Sequence, residues 1–429
     1  MITNEEKIMV YAWERCVSGV ECLSNETFTV LRKGTMKDDD SSLFLNAKIK
    51  IGNKEIEGAV KVINDNKRWA LWNSPYKASV ILVVTQDPKH NFMSFEYEPI
   101  RVFVPKIKPD FTNRYNELSY NKSACCEVLR SLNNLEKEHI VSQLVIERLN
   151  DKCQNIESIY KETSECWSDT ALAVLFDTMM ISYKDCRASY CQLARTIGYN
   201  SIVANIISGD YDEDLLNVEA LFLGAAGFLN IKQKEYDSYT YTLRARFDLL
   251  KKRYNITPMS AINWSSRTTS ISFQLAQLAA IIVSAPTLHY DLVACRSTDD
   301  ISCILKPKLS EYWSRHTSLG VESSTKTKTL FTKFKIENMI INFIVPYLFF
   351  YNNVSSVSYD GDKCEELLDL LQSTSDEKNY LVNPWRNYIE IDSAFYSQAV
   401  IQLSKKYCML SNCYKCRLGR KYLDKYEVF

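Results

Sequence analysis

Near the C-terminus, Cys408, Cys413 and Cys416 form the pattern C-x4-C-x2-C, closely followed by Gly419. As thiolates, cysteines at such spacing can hold zinc, and a similar set can seat an iron–sulfur cluster. A closed tetrahedral site needs a fourth donor. The sequence offers Cys303, His316 and Cys364, and spacing does not choose among them. The competing reading is that these thiols fill a helix–turn–helix corner with Gly419 as its cap. Lys405, Lys406, Lys415, Arg417, Arg420, Lys421 and Lys425 surround the cysteines, interleaved with Tyr407, Tyr414 and Tyr422. Cations among aromatic rings can follow a nucleic-acid backbone and stack on bases, but a solvated helix end carries the same charges. A second basic run, Arg244, Arg246, Lys251, Lys252 and Arg253, shares a helix with the core-facing Leu243, Phe247 and Leu250, and the same two readings apply.

Other constellations carry less. Asp210–Asp214 alternates carboxylates but lacks the glycine and terminal Glu of a calcium loop, so it reads as an acidic helix start. The histidines, His90, His139, His289 and His316, are scattered, and Cys125-Cys126 and Cys186/Cys191 read as packing residues. The sequence has neither a glycine-rich phosphate loop nor a G-x-S-x-G elbow.

The elements that must position these residues fall into two parts. At 429 residues the chain exceeds one ordinary core, so two domains are expected, divided at 1–112 and 113–429. The first part opens with helical periodicity over Ile8 to Cys16. Strand patterns follow at Phe28–Leu31, Ala47–Ile51, Ala59–Ile63, Ser79–Val84 and Arg101–Pro105, with a short helix near Lys67–Trp72. Ser79–Val84 is continuously apolar, as expected of a strand covered on both faces. Beyond residue 117 the 3.6-residue period dominates, with helices expected at Leu135–Ile156, Asp169–Tyr183, Asp185–Gly198, Leu215–Phe228 and Tyr239–Tyr254. More follow at Phe273–Ser284, Phe334–Phe350, Cys364–Ser373 and Ser393–Cys408. The fold class is therefore α+β: a small mixed-sheet α/β module followed by a large all-α domain. Lys+Arg and Asp+Glu both total 52, so any polyanion site must be a local patch. Fourteen cysteines without an export signal point to a reducing, cytoplasmic setting. The most apolar stretch, Met339–Tyr351, is too short to span a bilayer and contains Pro346, where a kink is expected.

Six segments stand out together and in order: Phe44–Ile49, Val218–Leu229, Gln274–Ala279, Tyr312–His316, Ile340–Pro346, and Ser397–Leu403 continuing into the cysteine cluster. In these the chain resembles an uncharacterised bacterial family, common in Bacteroidetes and catalogued as domain-of-unknown-function family 2851. The resemblance also sets out departures. Family members read G-P-D-F before the first of these strands, and Leu43 stands where the Asp would be. In the next strand they read G-N-V-E-I-H, and here Lys61 replaces the Glu and Ile63 the His. Arg68–Tyr76 lacks the spaced histidines of the family, Val83 replaces a strand histidine, and Gln274 occupies the place of an arginine.

An Asp on one strand and a Glu-x-His on its neighbour converge on one sheet edge and suit a divalent cation. The arrangement is similar to restriction-endonuclease-like cores. The resemblance thus implies a degenerate site at Leu43, Lys61, Ile63 and Val83, without catalytic residues. It implies a non-catalytic binding or scaffolding protein that contacts nucleic acid or a protein partner and not a membrane. The alternative is a metal-dependent, nuclease-like hydrolase with a relocated site.

Overall fold

The computed structural model describes residues 2–16, 20–21, 27–86, 89, 92–94, 99–120, 123–179, 184–230, 237–260, 268–306, 308–325, 331–355 and 361–429. His90 and the end of the helix expected to reach Tyr183 lie outside them. The architecture is α+β, and the chain divides into two compact units. One comprises Met1–Val141, Pro384–Ile389 and Val400–Phe429, and the other Ser142–Asn383 and Glu390–Ala399.

The first unit opens with α1 (Asn4–Arg15), started by a capping box in which Thr3 and Glu6 exchange side-chain and backbone hydrogen bonds. The sheet strands are β1 (Val20–Glu21), β2 (Thr27–Arg32), β3 (Thr35–Met36), β4 (Leu43–Ile51), β5 (Lys54–Val62), β6 (Val80–Val84) and β7 (Arg101–Phe103). Their order is β1-β2-β4-β5-β6-β7, with β3 pairing β4. The sheet is mixed: β4 and β5 are antiparallel, whereas β5, β6 and β7 run parallel. Gly52, at φ 56°, takes the left-handed conformation that closes the β4–β5 hairpin. The parallel step from β5 to β6 is made by α2 (Asn66–Leu71), capped by the Asp65 carboxylate, and a 3-10 turn at Pro75–Ser79. The strand expected from Ala47 starts at Leu43 instead. Asn46 has φ 57°, and the β4–β5 register shifts between Phe44 and Ala47. A bulge of this kind breaks the alternation that marks a strand in sequence.

The unit boundaries do not fall at 112/113. Helices α3 (Pro109–Tyr120), α4 (Ser123–Ser131) and α18 (Arg417–Leu423) belong with the sheet. Aromatic and polar contacts account for this: Tyr11 stacks on Phe111 at 5.3 Å and its hydroxyl donates to Asp424 at 2.7 Å. The Tyr115 hydroxyl donates to the Ser411 carbonyl at 3.1 Å. The long α5 (Asn134–Glu162) leads from this unit into the next.

The second unit contains α6 (Trp167–Met179), α7 (Lys184–Ile197), α8 (Ala204–Ile206), α9 (Tyr211–Ala225), α10 (Ser238–Tyr254), α11 (Thr268–Ser284), α12 (Leu288–Ala294) and α13 (Thr298–Ile304). After the short strands β8 (His316–Ser318) and β9 (Val321–Glu322) come α14 (Lys333–Met339), α15 (Val345–Val354) and α16 (Gly361–Gln372), and α17 (Ala394–Gln402) returns to the first unit. The acidic stretch at Asp210 starts α9 as expected, its carboxylate capping Glu213. Near Pro346 the helix takes a π turn, Ile340–Ile344. Proline has no N–H to return to Asn342, whose carbonyl accepts from Thr178, while the Ile341 carbonyl accepts from Lys152 at 2.8 Å. No single helix among the described residues is long and apolar enough to cross a membrane.

At the centre of this unit α9 packs against α10 and α11. The α9–α10 approach depends on Gly224, where a Cβ would lie 2.1 Å from the Phe247 ring. Gly224→Ala is expected to destabilise the fold by about 1–3 kcal/mol through overpacking. A urea unfolding midpoint identical to the parent's would show that the crossing has slack.

Candidate functional site

The register of the sheet brings the degenerate positions together. Leu43 on β4 pairs with Lys61 on β5, and Lys61 pairs with Val83 on β6, so the three form one row across neighbouring strands. Ile63, two residues after Lys61, lies just past the end of β5, and its N–H donates to the Val84 carbonyl at 3.0 Å. Leu43, Ile63 and Val83 are buried in one apolar cluster with Ala59, Trp69, Val80 and Phe92. Where the resemblance sets carboxylate and imidazole donors, this chain has a dry hydrocarbon surface.

Lys61 is the exception within the row. Only 4% exposed, it extends its ammonium to the Asp40 carboxylate, to the Ser42 hydroxyl at 2.8 Å, and to within 4.5 Å of the Trp72 ring centre. Ser42 in turn donates to Asp40 at 2.8 Å, closing a three-membered polar knot. Burial pulls the lysine below its ordinary range, with Asp40 opposing it. Burial also works against the Asp40 charge, but the Lys61 ammonium and the Ser42 donors prevail and hold that carboxyl below the usual range.

Two carboxylates thus approach the row from elsewhere, and both are engaged. Asp40 is held by Lys61 and Ser42. Glu6, fully buried on α1, accepts from Arg68 at 2.8 Å on each oxygen, from the Thr3 N–H at 2.7 Å and from the Asn64 N–H at 3.2 Å. Asp40 was not visible as a site residue in the sequence because it closes an Asp38–Asp40 run that reads as a solvated loop.

At the cysteine cluster, Cys413 and Cys416 are buried and Cys408 is half-buried. Burial pushes the Cys416 thiol up to about 12, against the opposing influence of the nearby Gly419 and Leu418 backbone N–H groups. Gly419 does not cap a helix end but lies within α18. A Cβ there would stand 2.3 Å from the Cys413 carbonyl oxygen, so glycine is required by close approach. Among the described residues no three Cys, His, Asp or Glu side chains already stand in metal-holding geometry. Of the fourth donors considered, Cys303, His316 and Cys364 all belong to the second unit. His316 stacks on Tyr312 with ring centres 3.7 Å apart.

Several of the basic residues have acidic partners. Arg246 pairs with Glu213, Arg420 with Glu14 at 3.0 Å, and Lys421 with Glu136 at 2.6 Å. Arg417 approaches His139 at 3.4 Å, and Lys415 lies beside the ring of Tyr414. A shallow groove of about 300 Å³ is lined by Arg417, Arg420 and Lys421 together with Glu136 and Asp424, so its charge is mixed. On α10, Arg244, Lys251 and Arg253 point to solvent.

Glu219 on α9 was missed as an individual residue. It lies within the Val218–Leu229 stretch, where an apolar surround hid it. Fully buried, its Oε2 accepts from the Tyr239 hydroxyl at 2.6 Å and the Trp313 indole N–H at 3.0 Å, while Oε1 has no hydrogen-bond partner among the described residues. Desolvation outweighs those two donors and pushes the carboxyl up to about 7. Gln274, where the resemblance sets an arginine, lies on the adjoining α11 and also has a buried Oε1 with no hydrogen-bond partner among the described residues.

Fold and site together define an α+β protein whose sheet carries a site-like row filled with apolar groups and a neutralised lysine. The chain belongs to the family described as "Protein of unknown function (DUF2851)", whose profile matches residues 6–380. The matched range ends before the cysteine cluster, so that part of the resemblance rests on the residues alone. No curated protein and no solved structure matches the chain.

Asp40→Asn leaves the buried Lys61 ammonium without its counter-charge and is expected to cost about 3 kcal/mol in urea unfolding. Adding Lys61→Met should recover most of that loss; equal instability in the single and double variants would show that the pair is not coupled. For Glu219 the native state holds a proton more tightly than the unfolded chain does. Its contribution is therefore fully present below the unfolded pKa of 4.5 and is lost as pH rises towards about 7. Glu219→Gln should flatten the stability profile between those limits; an unchanged slope would mean that the carboxyl titrates normally.

Proposed function

We propose that this protein is a non-catalytic member of its family that works by binding and does not hydrolyse what it holds. The observation that carries the reading is the Leu43–Lys61–Val83 row. Metal-assisted phosphodiester hydrolysis needs hard oxygen or imidazole donors around a divalent cation. Leucine, isoleucine and valine side chains supply none. The Lys61 ammonium adds a repulsive charge at the centre of the row, and its Asp40 and Ser42 partners leave that charge no freedom to move aside.

The surface favours nucleic acid as the first partner to test, through the exposed Arg244, Lys251 and Arg253 of α10. The mixed-charge groove beside α18 lends that idea little, and a protein partner is the remaining class.

Purified protein incubated with mixed DNA and RNA and with magnesium or manganese should leave every substrate intact. Cleavage that disappears on changing residues of the sheet unit would overturn the proposal. A mobility shift that weakens steeply with added salt, and weakens further in an Arg244→Ala/Lys251→Ala/Arg253→Ala variant, is the expected result for the nucleic-acid arm.

A further inference from the structure

We propose that the outer face of α10 is a docking surface for duplex DNA and seats in its major groove. This rests on the nucleic-acid reading of α10 and adds to it the form of nucleic acid and the groove. At about 100° per residue, Leu243, Phe247 and Leu250 fall on one side of the helix, and all three are buried. Tyr241, Ala245, Asp248, Leu249 and Lys252 run along the middle of the opposite side, and all five are exposed. Arg244 and Lys251 form one edge of that exposed side and Arg253 the other.

The charges on this face are uncommitted. Of the five cations on α10, only Arg246 forms an ion pair among the described residues, with both of its terminal nitrogens on Glu213. The other four share the exposed side with one carboxylate, that of Asp248. A solvated face would explain the cations but gives no reason for large apolar groups on its centre line. Here Tyr241 is 58% and Leu249 71% open to water.

A convex half-cylinder with cations on both edges matches a groove with phosphates on both walls. A helix with its side chains is about 10–12 Å across, and the major groove of B-form DNA is about 12 Å wide. From Tyr241 to Lys252 the centre line advances about 16 Å, close to five base-pair steps. Its side chains match what base edges present there. Lys252 suits the guanine acceptors, Asp248 the cytosine amino group, and Tyr241 and Leu249 the thymine methyl. Other polyanions fit less well. The deep, narrow major groove of duplex RNA does not admit a helix. A single strand is held in a groove lined by several stacking rings, whereas α10 is a ridge with one exposed ring. An anionic membrane calls for a broader apolar face than Tyr241 and Leu249 supply.

The test uses the full chain with duplex DNA of about 20 base pairs and randomised sequence, which is longer than the face it must cover. Fluorescence anisotropy should show this duplex bound at least tenfold more tightly than duplex RNA or single-stranded DNA of the same length. Arg244→Ala/Lys251→Ala/Arg253→Ala removes three phosphate contacts and should lower the slope of log Kd against log salt by about 3. Leu249→Glu, a change at an exposed position, should weaken binding at least tenfold while leaving the circular dichroism spectrum unaltered. Methylation of guanine N7, which lies in the major groove, should interfere with binding. Equal or tighter binding of duplex RNA or of the single strand overturns the groove assignment and leaves the nucleic-acid reading standing. The same holds if N7 methylation has no effect, or if folded Leu249→Glu binds like the parent. Failure to bind any nucleic acid overturns both readings, and binding of polyglutamate in its place would assign the face to an acidic protein.

Discussion

A lysine ammonium buried in a sheet cannot be left alone, and much of the first unit is arranged around that constraint. Lys61 lies in the middle of a row whose neighbours are hydrocarbon, so its charge must be met from outside the row. The chain meets it with Asp40 and Ser42, from the turn just before β4, and with the face of Trp72 after α2. Beside it a second pair, Glu6 with Arg68, joins α1 to α2. The positive charge that a divalent cation would bring to such a sheet is here covalently part of the protein, with Asp40 committed to it and Glu6 committed to Arg68.

Much of the fold was legible in the sequence. Strands β2, β6 and β7, the second half of β5 and the major helices fall near their expected places: the unbroken apolar run marks β6, which is covered on both faces, and alternation and the 3.6-residue period mark the others. The failures have particular causes. The first half of β4 was hidden by the bulge at Asn46. The kink expected at Pro346 is a π turn upstream of it. The unit boundary fell elsewhere because α3 and α4 are held by residues near the end of the chain, and such long-range partners leave no local pattern.

The candidate site was legible as a set of positions but not as a constellation. The family resemblance, and no local pattern, singled out Leu43, Lys61, Ile63 and Val83, and the register aligned the strand residues. The partners that neutralise Lys61 went unseen, since an aspartate in a run of three looks like a loop. Glu219 escaped for the opposite reason. A single carboxylate inside an apolar helix has no spacing to betray it, and only burial shows that it is held by Tyr239 and Trp313. The two acids differ in kind: Asp40 has a cation and stays charged, whereas Glu219 has only neutral donors and retains its proton towards neutrality.

The division of the first unit between residues before 142 and after 383 has a consequence for biosynthesis. The helix and sheet around Tyr11 and Tyr115 are synthesised well before the groups that meet these two side chains, Asp424 and Ser411, which lie 413 and 296 residues further along the chain. The inserted helical unit can settle on its own contacts while the sheet unit waits, part of its apolar surface still open to water. Completion of the first unit therefore has to await the segment that follows the insertion, and apolar surface exposed in that interval favours misassociation.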